Sequence, residues 1–249
     1  LKVSIKKTTD GDFSPLDSAN YTLTIPATDG DTFDIEFKPN FLSGLKKGDI
    51  IMIVYEATLN ENAVIGSTGN KNKVWLSYGD NKTTTEKTTI TKTFGIPVFK
   101  FYKTDVTGTT SEQPLANVKF KLSSNPDADL NDDNDFIKFV KDIATDVYRK
   151  ALDTEAASST KLVSNNSGNI TLQGLAGETY YLYETETVKG YNKLTKPVQI
   201  RIKPDGTIEY ANKGETLQAV GADGFVKVEN KTGTIRPSTG GVGTTMMYI

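Results

Sequence analysis

Apolar and polar residues alternate through much of this 249-residue chain, and in three places the apolar face of the pattern ends in a side chain that a core does not accept alone. The stretches are Phe99-Lys100-Phe101-Tyr102-Lys103, Tyr180-Tyr181-Leu182-Tyr183-Glu184 and Val226-Lys227-Val228-Glu229-Asn230. Successive side chains of a strand point to opposite faces. Phe99, Phe101 and Lys103 therefore share a face, as do Tyr180, Leu182 and Glu184, and Val226, Val228 and Asn230. Burying an amine, a carboxyl and a carboxamide one at a time costs several kcal/mol each. Brought together in one core, the three groups satisfy one another or react. Taken singly, a lysine at a strand end usually reaches for solvent and an asparagine there usually caps a turn.

Composition removes most other chemistries. The chain has no Cys and no His, which excludes disulfides, thiol catalysis, Ser-His and Cys-His dyads, and ordinary zinc or haem sites. A formal charge of -2, with both signs interspersed, gives no electrostatic case for nucleic acid or an acidic membrane. No cofactor and no metal is expected. No apolar run is long enough to span a bilayer and no signal peptide is visible. Leu1-Lys2-Val3-Ser4-Ile5 already alternates like a strand, and Val242 to Ile249 turns apolar, so both ends read as cut from something longer.

The expected fold class is all-β, with two Ig-like sandwiches in tandem. Residues 1–95 form the first domain on this reading, with strands at Tyr21–Ile25, Thr32–Phe37 and Val74–Tyr78 separated by Gly, Asp and Asn. Asp49 to Leu59 is apolar on both sides, as a central strand would be. Pro97 marks the junction with a second domain, 96–231. Within it, Phe136, Phe139, Val140, Ile143, Val147 and Ala151 recur at helical spacing, predicting a helical insertion over 131–156. The insertion opens on Asn131-Asp132-Asp133-Asn134-Asp135, which suits helix capping. It lacks the glycine and the distal glutamate of an EF-hand loop. Residues 232–249 form a polar, then apolar, tail.

An amine that attacks a carboxamide makes an amide and releases ammonia. In water the step is negligible, because the amine is protonated and the carboxamide is a poor electrophile. Burial lowers a lysine pKa and raises that of a carboxylic acid. On this reading a neutral Lys103 is the nucleophile and Asn230 the electrophile, while a protonated Glu184 polarises the carbonyl and shuttles protons. Holding the groups in contact supplies the effective molarity that a single-turnover reaction needs. The product ties the first strand of the domain to its last, which removes unfolded-chain entropy as a disulfide does.

Tyr180-Tyr181-Leu182-Tyr183-Glu184-Thr185-Glu186-Thr187-Val188-Lys189-Gly190-Tyr191 resembles the E-box of Gram-positive sortase-assembled pilins, YxLxETxAPxGY, with Thr187-Val188 in place of its Ala-Pro. Lys103-Thr104-Asp105, followed by Pro114-Leu115-Ala116-Asn117-Val118-Lys119-Phe120, is similar to the opening of a collagen-adhesin B-type domain, with Asn117 where glycine is common. Val228-Glu229-Asn230-Lys231 is similar to its closing strand. The resemblance implies a Lys103–Asn230 isopeptide bond promoted by Glu184.

Arg236-Pro237-Ser238-Thr239-Gly240 resembles an LPxTG sortase signal, with Arg236 in the usual Leu position. It implies cleavage between Thr239 and Gly240. Val54 to Asn60 with Ala63, then Gly69 to Tyr78, is similar to a pilin middle domain. This implies Asn72 as the acceptor of a second isopeptide bond, with Glu56 as its candidate promoter and the donor lysine before Leu1. A polymerising lysine is also expected upstream.

The function so implied is structural. The chain is a shaft subunit of an extracellular, cell wall-anchored surface pilus, not an enzyme beyond the one self-directed condensation. Its partners are other pilin subunits, a sortase and, through adhesion, host extracellular matrix. An alternative is an accessory pilin or adhesin whose 131–156 insertion binds host matrix directly. A glycan-active site built on Asp132, Asp133 and Asp135 fits poorly, since these acids sit together rather than across a cleft.

Overall fold

A computed structural model describes residues 1–26, 32–60, 62–79, 82–212 and 215–233. They form two compact units, Leu1–Thr58 and a second beginning at Leu59. The division expected at 95/96 falls inside the second unit, within its 13-residue strand Phe94–Val106. All-β is the observed class: extended segments dominate, and helix is confined to a few short turns.

In the first unit, β1 (Lys2–Lys6) lies between β2 (Ser14–Pro15) and β5 (Ile50–Val54), while β3 (Tyr21–Thr24) and β4 (Asp34–Phe37) form a separate antiparallel pair. The central strand is thus β1, which buries Val3 and Ile5. The apolar Ile50–Val54 stretch, expected to be central, pairs with β1 along one side only among the described residues, and Ile50, Met52, Ile53 and Val54 are exposed. An α-helical turn, α1 (Pro39–Ser43), starts on a proline whose missing N–H would have had no helical acceptor.

A carboxylate staples this unit. Asp49, its side chain 3% exposed, accepts hydrogen bonds from the Thr8 and Lys46 N–H groups, from Thr8 Oγ1, and from Lys7 Nζ at 3.1 Å. The two backbone donors, with the hydroxyl and the ammonium beside them, hold its pKa far below the usual carboxylate range. A carboxyl so lowered contributes stability that is present above its unfolded pKa and lost as pH falls through the folded one. Asp49→Ala is therefore expected to loosen the loop around Lys46 and Lys47 and to speed trypsin cleavage there at neutral pH. Cleavage at the wild-type rate would show that the staple does not hold the loop.

The second unit opens with two short ladders, β6 (Asn70–Val74) with β9 (Lys87–Thr91), and β7 (Ser77–Tyr78) with β8 (Lys82–Thr83). Two six-stranded sheets follow. The first contains β10 (Phe94–Val106), β11 (Thr109–Pro114), β13 (Phe139–Asp142), β14 (Val147–Lys150), β16 (Asn169–Leu175) and β21 (Val226–Glu229). The second runs β15-β12-β17-β18-β19-β20, that is, Leu162–Val163, Lys119–Ser123, Thr179–Glu186, Val198–Ile202, Ile208–Ala211 and Gln218–Ala219. Their inner faces share one core, to which Ile96, Val98, Val226 and Val228 come from one sheet and Phe120, Leu122, Leu182 and Ile200 from the other.

The helix expected over 131–156 is absent. Asp133–Asp135 forms a single 3-10 turn, and the segment then makes a hairpin of β13 and β14, with β14 running parallel to β16. Three features defeat the helical spacing. Val140, Ile143, Thr145 and Val147 are β-branched and lose side-chain freedom in a helix. Asp142 folds the chain back by accepting from the Ala144 N–H and the Thr145 hydroxyl, and Asp146 takes φ 57°. Ile143, on the expected apolar face, lies at the turn and is 90% exposed. Of the acids expected to cap that helix, Asp132 caps only the 3-10 turn, accepting from the Asn134 N–H, while Asp133 pairs with Lys121 at 2.8 Å.

Candidate functional site

Residues 94 to 100 decide which lysine enters the core. Phe94, Ile96 and Val98 are buried in alternation along β10, and Lys100 is the next residue on that face. The strand is pinned on both sides of this point. The Lys100 N–H donates to the Gly168 carbonyl at 2.7 Å, and its carbonyl accepts from the Leu115 N–H at 2.9 Å. Gly168 has φ +74°, and a Cβ on it would stand 2.3 Å from the Lys100 carbonyl oxygen, so only glycine permits this approach. On the other side β21 runs parallel to β10, with Lys100 opposite Val228 and the Asn230 N–H bonded to the Phe101 carbonyl. Asn117, at the position where glycine is common, takes φ 63°, a conformation asparagine tolerates better than most residues.

The three groups that meet are Lys100, Glu184 and Asn230. Lys100 Nζ is 2.5 Å from Asn230 Oδ1 and 3.3 Å from Glu184 Oε2. Asn230 Nδ2 donates to Glu184 Oε1 at 2.7 Å and to Thr187 Oγ1 at 2.7 Å. Lys100 is 0%, Glu184 3% and Asn230 1% exposed. Lysine and asparagine come from one sheet and glutamate from the other, so the cluster exists only because the sheets face each other. The Phe120 ring, with Lys100 Nζ 5.9 Å from its centroid, forms an apolar wall.

Burial pushes the Lys100 amine down from 10.5 to about 8, against the opposing pull of the Glu184 carboxylate. Glu184 Oε2 lies within ion-pair distance of the amine but has no hydrogen-bond partner. A buried carboxylate oxygen left in this condition is a high-energy feature. The arrangement joins an amine with a depressed pKa, a carbonyl within contact distance of it, and a carboxyl set between the amine and the carboxamide nitrogen.

Lys103, the lysine expected from sequence, is not in this cluster. It lies on the opposite face of β10, its side chain 46% exposed, and pairs with Glu229 at 2.9 Å. The face chosen from Phe99 and Phe101 is the wrong one, because the Phe94, Ile96, Val98 series sets the inward register. Extending the alternation five residues upstream carries the signal for Lys100. Glu184 and Asn230 lie where the sequence puts them, on the inward faces of β17 and immediately after β21.

Asn72 is exposed on β6 opposite Thr89, and Glu56 is exposed in the first unit, so the two proposed partners belong to different units. Arg236, Pro237, Ser238, Thr239 and Gly240 lie outside the described residues.

Residues 97–216 match the family model described as SpaA: Prealbumin-like fold domain. The pilin resemblance carried by the E-box is borne out by that match. Among solved structures, the 35 kDa C-terminal fragment of the major pilin GBS80 of Streptococcus agalactiae is similar at 19% identity. The likeness covers 92% of this chain and 82% of that one, with a TM-score of 0.51, a likeness of fold. The pilus 2b backbone protein of group B streptococcus is 20% identical over 95% of this chain and 80% of that chain, with a TM-score of 0.47. Full-length major pilin RrgB from Streptococcus pneumoniae is 14% identical, with a TM-score of 0.49, and the match spans 94% of this chain and 64% of that one. No curated protein sequence matches at a significant level.

Proposed function

We propose that the chain, whose residues 97–216 match the SpaA prealbumin-like domain model, is a structural subunit of a Gram-positive surface pilus, hardened by an isopeptide bond between Lys100 and Asn230. The observation that carries this reading is the buried contact of Lys100 Nζ with the Asn230 carboxamide beside Glu184. Solvated groups need no such cluster, and burying three of them uncompensated is costly.

The step balances as a transamidation. Neutral Lys100 Nζ bonds to Asn230 Cγ, one C=O bond (about 1.23 Å) beyond the oxygen it already touches. The Cγ–Nδ2 bond breaks. Glu184, 3.3 Å from Nζ and 2.7 Å from Nδ2, takes a proton from the first nitrogen and delivers one to the second, which leaves as ammonia. No cofactor enters. The product closes a loop between positions 130 residues apart, which stabilises the domain by roughly 5 kcal/mol on chain-entropy grounds. It joins neighbouring strands β10 and β21, so pulling on the chain cannot separate them.

In the wider reading the protein is extracellular and wall-anchored. A sortase joins it to other pilin subunits through the tail at Arg236–Gly240, and the pilus supports adhesion to host matrix. The 131–156 segment forms part of the sheet through β14 and β16, so no separate binding helix supports the accessory-adhesin alternative. Intact-mass measurement tests the central claim: the purified protein should be lighter than its sequence by one ammonia, and a mass equal to the sequence would overturn it.

A further inference from the structure

The Asn230 carboxamide has two N–H groups and both are engaged, one by Glu184 Oε1 and one by Thr187 Oγ1, each at 2.7 Å. This arrangement fixes which way the amide faces. With both hydrogens tied on the side of β17, Oδ1 is turned toward Lys100 Nζ, and the carbon to be attacked is presented to the amine. The opposite flip would set an N–H donor against the Lys100 amine and a carbonyl oxygen against the Glu184 carboxylate. Glu184 alone accepts one hydrogen; the second needs another acceptor on the same side, and Thr187 supplies it.

Thr187 is itself held. It follows β17 directly, in a segment tied to the residues beyond Asn230: the Asn192 N–H bonds to the Lys231 carbonyl, the Gly233 N–H to the Gly190 carbonyl, and Tyr191 bridges Thr232. Tyr191 also packs against Tyr102, ring centroids 5.1 Å apart. The hydroxyl is thus fixed relative to both Glu184 and Asn230. Thr187 is also where this sequence departs from the alanine of the E-box pattern, so the contact is made by a side-chain group that alanine lacks.

We propose that Thr187 is a further catalytic residue of the Lys100–Asn230 condensation, holding the leaving nitrogen so that the carbonyl faces the amine. This rests on the isopeptide reading above. No new bond is made to Thr187: its hydroxyl accepts an N–H bond from Nδ2 before the Cγ–Nδ2 bond breaks, and ammonia departs from beside it.

The test is the rate of ammonia loss after a pulse of cell-free synthesis, followed by intact mass for wild type, Thr187→Val and Thr187→Ser. Valine occupies the threonine's volume and leaves no room for a water to replace the hydroxyl. Leaving one buried N–H without an acceptor should slow the reaction about tenfold or more. Serine should restore a rate within about threefold of wild type, since it keeps the acceptor. Complete ammonia loss by Thr187→Val at long times would show that it folds and that only the rate has changed, in support of the proposal. A valine variant that reacts at the wild-type rate overturns it. So does a serine variant as slow as valine, which would assign the effect to the methyl group. Wild type that never loses ammonia overturns the isopeptide reading itself, a result separable from either.

Discussion

Lys100→Ala and Glu184→Ala are each expected to retain the ammonia that wild type loses, once the substitution itself is allowed for, whereas Lys103→Ala should lose it as wild type does. The first removes the amine that touches Asn230 Oδ1; the second removes the group bridging the two nitrogens. Lys103 sits on the outer face, paired with Glu229 and away from Asn230 Oδ1. The thermal consequence should be large. Losing a cross-link across 130 residues removes roughly 5 kcal/mol, which corresponds to a Tm lower by on the order of 15 °C for a domain of this size. Each variant also leaves its partner in the buried Lys100–Glu184 pair unmatched, and breaking a buried pair from one side costs about 3–5 kcal/mol, so both should lose more than the cross-link alone accounts for. Persistence of the mass deficit in Lys100→Ala, or its disappearance in Lys103→Ala, would return the donor role to Lys103 or remove the bond from this site.

The rate of bond formation should rise about tenfold for each pH unit up to about pH 7 and level off above pH 8. The amine attacks in its neutral form, and burial pushes Lys100 to about 8. At pH 7 about one amine in ten is then neutral, against roughly one in 3,000 at an unshifted 10.5, a gain of about 300-fold. Stability of the unreacted protein gives an independent check. A lysine pKa lowered by folding means that the unfolded chain binds more protons between about 8 and 10.5, so stability rises with pH across that window and the penalty is fully present below it. Asn230→Ala, which keeps the amine but removes its acceptor, should therefore resist denaturant better at pH 10 than at pH 7. A wild type cross-linked at Lys100 would have no free amine there and should lack that increment. A rate independent of pH between 5 and 8 would mean that Lys100 is not the group whose deprotonation limits the reaction.

Much of this site is legible in the chain. Glu184 follows Tyr180 and Leu182 on one strand face, and Asn230 follows Val226 and Val228 in the same way, so period two sends both inward. The lysine is harder to read because aromatic residues flank it on both faces of the strand. Phe99 and Phe101 are as apolar as Ile96 and Val98, and Phe101 is itself buried, stacked on Phe99 on the outer side. A strand apolar on both faces carries no internal sign of which one meets the other sheet. Similar ambiguity produced the helical insertion expected over 131–156, where the apolar spacing of 136–151 fits a helix but β-branched residues and an Asp-centred turn favour a hairpin. Thr187 bears no sequence signal beyond its departure from the alanine of the pilin pattern.

The sequence by itself determined an all-β chain, the inward positions of a carboxyl and a carboxamide, and the pilin-type pattern around them. These follow from side-chain periodicity and from residue order, which are local. The tertiary structure alone decided that Lys100, not Lys103, completes the cluster, and that Thr187 completes the grip on Asn230. Those outcomes depend on the parallel register of β21 on β10 and on β17 facing them from the opposite sheet. No short-range pattern specifies a contact between residues that lie 46 and 130 positions apart. Only packing brings them within bonding distance and removes the water that would otherwise keep the amine charged.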